Sequence, residues 1–163
     1  MHPNHITIND VGPRDGLQNQ PKLLSKDQRL SLISALVDAK VPEIEVGAFV
    51  SPKAVPAMAG TDELFADLAA SLKNNSSLFS ALIPNMKGFE LAMSAKVPLM
   101  SLVVATSNTM NLKNIRMTTH DSVSVSKDVL KAAKKQGANV QAYEATAWAC
   151  PFEGKISADS VFS

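Results

Sequence analysis

His5-Ile6-Thr7-Ile8-Asn9, followed at once by Asp10-Val11-Gly12-Pro13-Arg14-Asp15-Gly16-Leu17-Gln18-Asn19, is the stretch on which the reading of this chain turns. Residues 5–9 form a short apolar run that reads as a β-strand. Two glycines and a proline then punctuate a loop, and inside it a guanidinium and a carboxylate stand side by side. Neighbours on a strand would point to opposite faces. On a tight Gly/Pro turn, Arg14 and Asp15 can be aimed at one point. An arginine offers a fixed fork of donors to an oxyanion or carboxylate. An aspartate beside it is a hard oxygen ligand suited to Mg²⁺ or Mn²⁺. By residue type alone the pair reads equally well as a surface ion pair, since short loops rich in Gly, Pro and Asp are common.

Beyond this loop the chain repeats a strand-then-helix alternation, with no fixed-period repeat and no low-complexity linker. Ser25-Lys26-Asp27-Gln28 has the pattern of a capping box, Ser at N-cap and Gln at N3. It predicts a helix to about Lys40 with Leu30, Ile33 and Val37 on one face. The second strand is expected at 41–46, then a long loop from Gly47 to Gly60, with Thr61 capping a helix that ends near Asn74. A third strand is expected at 78–83, a helix opened by Pro84-Asn85, and a fourth strand at 99–104. Residues 106–116 read as a long polar loop. Thr118 or Thr119 then caps a helix that runs to Gly137. The fifth strand is expected at 139–146, and 157–162 has the look of the first turn and a half of a further helix.

Alternating β and α elements with short apolar strands mean a parallel sheet with helical crossovers. An open doubly wound sheet and a TIM barrel both fit that description. No G-x-G-x-x-G or Walker loop follows any strand, which removes the usual support for a nucleotide-binding open sheet. The polar, Pro/Gly-rich loops all follow strands, and in a barrel such loops gather at the C-terminal face and build the site. The expected fold class is therefore α/β, a TIM (β/α)8 barrel of which about the first five β/α units are present. A whole barrel takes roughly 250 residues, against 163 here. The 1–163 stretch is accordingly expected to be the N-terminal portion of a single catalytic domain. Its barrel interior, including the strand faces bearing Phe79 or Leu82, would lack an opposite wall.

The second constellation is Glu45. It lies between Ile44 and Val46, so period-2 alternation sends those two toward the helices and Glu45 toward the interior. An inward carboxylate is costly unless paired, and Arg14 at the end of the neighbouring strand is the expected partner. A purely structural ion pair remains open on these grounds. Other candidates are weaker. Cys150 precedes a proline with no histidine nearby and reads as a small packed residue. His2, His5 and His120 lack metal-ligand spacing. Asn108, Asn111 and Lys113 read as a solvated loop that could meet a ligand's tail.

Composition excludes several classes. With 45% hydrophobic residues, 19% charged, 5% aromatic and a net charge of +1, there is no basic nucleic-acid surface. No run approaches the ~20 apolar residues of a membrane span. A single cysteine rules out an internal disulfide framework and suits a reducing compartment. With strand signals beginning near residue 5 and no room for a leader, the expectation is a cytoplasmic protein.

The segment GPRDGLQNQ closely resembles the signature of the hydroxymethylglutaryl-CoA lyases, within the metal-dependent TIM-barrel lyases and Claisen-type synthases. IEVGAFVSPKAVPAMAG at 44–60, PNMKGFE at 84–90, KNI at 113–115 and CPFEGKIS at 150–157 carry the resemblance along the chain. Pro13 stands where the synthase branch has a leucine, which favours the lyase branch. The resemblance implies a pyruvate-carboxyltransferase-type catalytic domain that cleaves 3-hydroxy-3-methylglutaryl-CoA to acetoacetate and acetyl-CoA. It implies a divalent metal (Mg²⁺ or Mn²⁺) on Asp15, Arg14 and Glu45 in catalysis, and Gln18 with Arg14 at the substrate. It further implies an acyl-CoA thioester as partner and a homo-oligomer for the full-length enzyme. The family's His-x-His pair, asparagine ligand and cysteine loop have no match here, so these 163 residues are expected to be inactive alone. Two alternatives are a related acyl-CoA or 2-oxo-acid lyase, and a half-barrel binding or assembly module without catalysis.

Overall fold

The computed structural model describes residues 6–71 and 76–162. The described residues form thirteen β-strands and α-helices. They are β1 (Asn9–Asp10), α1 (Lys26–Asp38), β2 (Glu43–Ala48), α2 (Thr61–Ser71), β3 (Leu78–Leu82), α3 (Met86–Ser94) and β4 (Leu99–Ala105), then α4 (Asn108–Ile115), α5 (Thr119–Gln136), β5 (Val140–Ala145), the short strands β6 (Ala149–Cys150) and β7 (Gly154–Lys155), and α6 (Ala158–Val161). The main sheet has the order β1-β2-β3-β4-β5, with β1–β2 and β2–β3 parallel. A doubly wound sheet reverses its strand order at a switch point. Here the order never reverses, so the architecture is five β/α units of TIM-barrel type. By internal packing the chain divides after Met100 into two compact units.

In the first unit, Ile33 and Val37 of α1, Leu64, Phe65 and Leu68 of α2, and Phe89 and Ala92 of α3 are buried, as are Ile44, Val46, Phe79 and Ala81 of the sheet. Helix starts are set locally. Ser25 accepts from Gln28 N while the Gln28 side chain accepts from Ser25 N, the capping box the sequence foretold. Asn85 caps α3 through Gly88 N. Two helices return to the sheet through the same tetrapeptide, Ala-Lys-Val-Pro at 39–42 and 95–98. Lys40 and Lys96 take left-handed backbone there, φ 62° and 56°. Val41 N reaches back to Leu36 O at 3.1 Å and Val97 N to Ala92 O at 3.0 Å, the six-to-one bond of a Schellman stop.

In the second unit Val129 and Ala133 of α5 are buried, as are Leu102 and Ala105 of β4 and Cys150. Thr118 caps α5 through Asp121 N, and Gly137 ends it at φ 67°. Here glycine supplies at no steric cost the left-handed residue that Lys40 and Lys96 supply elsewhere. Among the described residues no helix is long and apolar enough to cross a membrane.

Several expectations need correction. β1 is only Asn9–Asp10. Ile6 and Ile8 are exposed, and His5 lies outside the described residues. β2 begins two residues late because Val41 is consumed by the Schellman stop. Thr61 is the first residue of α2 and donates its hydroxyl to Met58 O at 2.8 Å; the expected end at Asn74 is outside the described residues. On α1 the buried face is Arg29, Ile33 and Val37, not Leu30. Phe79 pairs in register with Ile44, whereas Glu45 pairs with Ser80. Phe79 therefore faces the helices, and the expectation that it lines the interior fails. Residues 106–116 are not a loop: α4 forms there, capped by Ser107 through Met110 N at 3.1 Å. Its asparagines concealed it, being poor helix formers, yet Asn111 is 2% exposed and bonds both Ala105 N and Ala105 O. The β6–β7 hairpin was not expected at all.

Candidate active site at the end of the first strand

The turn after β1 is built on one carbonyl. Val11 O accepts from Arg14 N at 3.1 Å, Asp15 N at 2.7 Å and Gly16 N at 3.4 Å, which makes residues 12–16 a single turn of π-helix. Such wide turns are rare and recur at functional sites. Gly12 N turns back to Asp10 Oδ1 at 2.8 Å, and Pro13 is buried beneath the turn.

This turn brings together the residues read from the sequence. Arg14 Nη1 donates to Asp15 Oδ1 at 2.9 Å, and Gln18 Nε2 donates to the same oxygen at 2.9 Å. Arg14 Nε donates to Glu45 Oε1 across from β2. Glu45 is 1% exposed and the Arg14 side chain 14%, while the Asp15 side chain is 56% exposed. The charge sequence from interior to solvent is thus carboxylate, guanidinium, carboxylate. Glu45 fixes the Arg14 fork from behind, and Gln18 fixes Asp15 from the side. Arg14 Nη2 makes no hydrogen bond among the described residues, and such a fork has donors that an oxyanion could accept.

Asp15 is the natural place for a divalent cation. Both of its polar contacts fall on Oδ1, which leaves Oδ2 as a hard oxygen donor on a half-exposed side chain. That fits one position in an all-oxygen ligand set. Among the described residues no three His, Cys, Asp or Glu side chains are grouped to hold a metal.

Two buried charges were missed by sequence reasoning. Glu43 is 8% exposed and shares the alternation of Glu45, a Glu-x-Glu signal that was there to be read. Arg29 is 3% exposed on α1; nothing local distinguished it from a solvated helix residue. Of the weaker candidates, Cys150 is buried and its Sγ accepts from Phe152 N at 3.4 Å, as a packed residue would. His120 is exposed. Asn108 and Asn111 serve the α4–α5 junction, through Thr119 N at 3.0 Å and Thr119 Oγ1 at 2.8 Å. Lys113 lies 4.4 Å from the Phe152 ring centroid.

A parallel sheet in unbroken strand order, with an arginine gripped by two carboxylates just past its first strand, defines a TIM-barrel-type protein with its polar cluster where that fold places chemistry. The particular family follows from the match of its model, HMGL-like, to residues 5–162: the chain belongs to the HMGL-like family. It is 39% identical to the (R)-citramalyl-CoA lyase of Chloroflexus aurantiacus, over 96% of this chain and 51% of that protein. It is 36% identical to the hydroxymethylglutaryl-CoA lyase of Pseudomonas mevalonii, over 96% and 51% respectively. Among solved structures, the Bacillus subtilis HMG-CoA lyase superposes with a TM-score of 0.89 at 31% identity, covering 98% of this chain and 52% of that one. The enzyme from Acenitobacter baumannii, solved with coenzyme A and 3-methylmalate, gives 0.84 at 34% identity, covering 96% and 50%. The chain spans about half the length of the relatives it matches.

Proposed function

We propose that this chain supplies the first half of the active site of a metal-dependent carbon–carbon lyase that cleaves 3-hydroxy-3-methylglutaryl-CoA to acetoacetate and acetyl-CoA. The observation that carries the reading is the Arg14 fork, held by Glu45 from the interior and facing outward beside Asp15. In this retro-Claisen cleavage the C3 hydroxyl loses its proton and becomes a ketone, and the C2–C3 bond breaks. Its electron pair becomes the enolate of the departing thioester, which takes up a proton to give acetyl-CoA. Arg14 Nη2 stabilises the enolate oxygen, a charge that exists only as the bond breaks. Glu45 keeps the guanidinium in one orientation, and Gln18 keeps Asp15 in another. Asp15 Oδ2 would hold the divalent cation, whose Lewis acidity toward the substrate's hydroxyl and carbonyl oxygens is the chemistry it supplies when bound. With this reading go a cytoplasmic location, an acyl-CoA thioester substrate and a homo-oligomeric full-length enzyme.

Resemblance to the citramalyl-CoA lyase at 39% identity favours one second reading, a related acyl-CoA substrate at the same cluster. The test is turnover of both thioesters by the natural full-length product with Mg²⁺ or Mn²⁺. Acetoacetate release that Arg14→Met abolishes supports the first reading, and cleavage of citramalyl-CoA alone the second. No turnover of either would leave a non-catalytic binding module. The 163-residue polypeptide itself, with a single carboxylate for the metal and no acid/base pair beside it among the described residues, is expected to bind Mn²⁺ weakly and to release no acetoacetate.

A further inference from the structure

Arg29 is a buried cation with no carboxylate at its guanidinium among the described residues. Its Nη1 donates to Ala59 O at 2.9 Å and its Nη2 to Val46 O at 3.3 Å, while Nε has no acceptor among the described residues. Burial alone pushes its pKa below the ordinary arginine value. A buried unpaired charge is costly, and an apolar side chain of similar volume would pack at this place on α1 without that cost. The two carbonyls it holds explain its presence.

Val46 is an irregular residue. Glu45 pairs with Ser80 and Gly47 with Ala81, so the ladder between β2 and β3 steps over Val46 and leaves a bulge there. A bulge re-aims the side chains beside it and is common next to active sites. Here the residue beside it is Glu45, and the carbonyl of the stepped-over Val46 is one of the two that Arg29 takes. Ala59, the second acceptor, lies near the far end of the loop that joins β2 to α2. Gly47 makes the approach possible: a Cβ there would sit 3.0 Å from Arg29 Nη2 and 2.6 Å from Thr61 Oγ1.

We propose that Arg29 is a positioning residue for the site. Holding the Val46 carbonyl, it fixes the bulge in β2 that aims Glu45 at Arg14; holding Ala59, it fixes the strand-to-helix loop. Its bearing on catalysis rests on the lyase reading above, but its bearing on Glu45 does not. The chain's only arginines are Arg14, Arg29 and Arg116, so ¹⁵N-arginine labelling gives a spectrum simple enough to follow Arg14 Nε–H directly. That proton should resonate well downfield, as a charge-assisted bond to a buried carboxylate requires. Arg29→Lys keeps the charge but has no fork to span two carbonyls. Gly47→Ala crowds Thr61 and presses on the guanidinium, loosening its hold on Val46. Both should move the Arg14 Nε–H signal upfield, and Ile33→Val, on the same buried face of α1, should not. In the full-length enzyme Arg29→Lys should lower kcat about 100-fold, the scale of an ångström-sized misplacement, with KM nearly unchanged. An unmoved Arg14 signal in folded Arg29→Lys would overturn the proposal and leave Arg29 a packing residue. If the lyase reading alone is wrong, no version turns over, yet the signal still moves.

Discussion

β2 and β5 are both six-residue strands of the same sheet, and their surroundings differ completely. Every residue of β2 is buried. No residue of β5 is, and Tyr143 stands 42% exposed. β2 has a hydrogen-bonded neighbour on each side, whereas β5 is last in the strand order. The two strands treat a carboxylate accordingly. Glu144 on β5 is exposed and accepts from Thr106 Oγ1 at 2.7 Å, a bond that water could replace at little cost. Glu45 on β2 has no water to fall back on, so its ion pair with Arg14 is obligatory. Burial turns a surface-type pair into a constraint that fixes geometry, which is why the candidate site lies beside β2 and not β5.

The sharpest way to break that contrast is to strand one charge. Arg14→Met leaves Glu45 buried and unpaired and should cost about 3–5 kcal/mol in urea unfolding. Glu45→Gln should cost less, about 1–3 kcal/mol, because Arg14 keeps Asp15 and some exposure. Equal small losses below about 1 kcal/mol would mean that Glu45 reaches solvent. Next in size is packing. Ile44→Ala, at a fully buried position, should cost about 2–5 kcal/mol, whereas Tyr143→Thr should change stability by about 0.5 kcal/mol or less. Amide exchange should follow the same order, slow in β2 and fast in β5. Strong protection in β5 would contradict an open edge.

The helix-to-strand joints allow a finer comparison. Lys96 and Gly137 occupy equivalent left-handed positions. Relief of the Cβ clash, about 1–2 kcal/mol, opposes the unfolded-state entropy of glycine, about 0.4–1 kcal/mol. Lys96→Gly should therefore raise stability by up to about 1 kcal/mol, and Gly137→Lys should lower it by a similar amount. Opposite signs in thermal melts are the required result. The smallest effect concerns an exposed carboxylate. Glu153 Oε1 accepts from Thr109 N at 2.6 Å. That bond from Thr109, together with Ser107, outweighs desolvation and holds the Glu153 pKa below its usual 4.5. Because the folded pKa is the lower one, the contribution of Glu153 is present above the unfolded value and lost as pH falls through the folded one. The Thr109 amide shift should titrate below pH 4.5 and lose that titration in Glu153→Gln. A midpoint at or above the unfolded value would remove the tie.

Local signals made much of the fold legible. The Ser25–Gln28 capping box, the Asn85 and Thr118 caps and the Gly137 stop each depend on residues within about four positions, and each stands where the sequence put it. Period-2 alternation was enough to turn Glu45 inward, and chain order was enough to name Arg14 as its partner. Helix α4 stayed hidden because Asn108 and Asn111 read as loop formers; only their bonds to Thr119 and Ala105 show otherwise.

The sequence by itself therefore determined the β/α alternation, the identity of the Arg14–Asp15–Gln18–Glu45 cluster and the family to which such a loop belongs. Tertiary structure alone decided that Phe79 faces the helices, that Arg29 is buried and that β2 is bulged at Val46. The reason is distance along the chain. Arg29 meets Val46 and Ala59 across 17 and 30 residues, and the bulge exists only against a partner strand more than thirty residues away. No window of local propensity spans such separations, and only the packed chain brings those groups together.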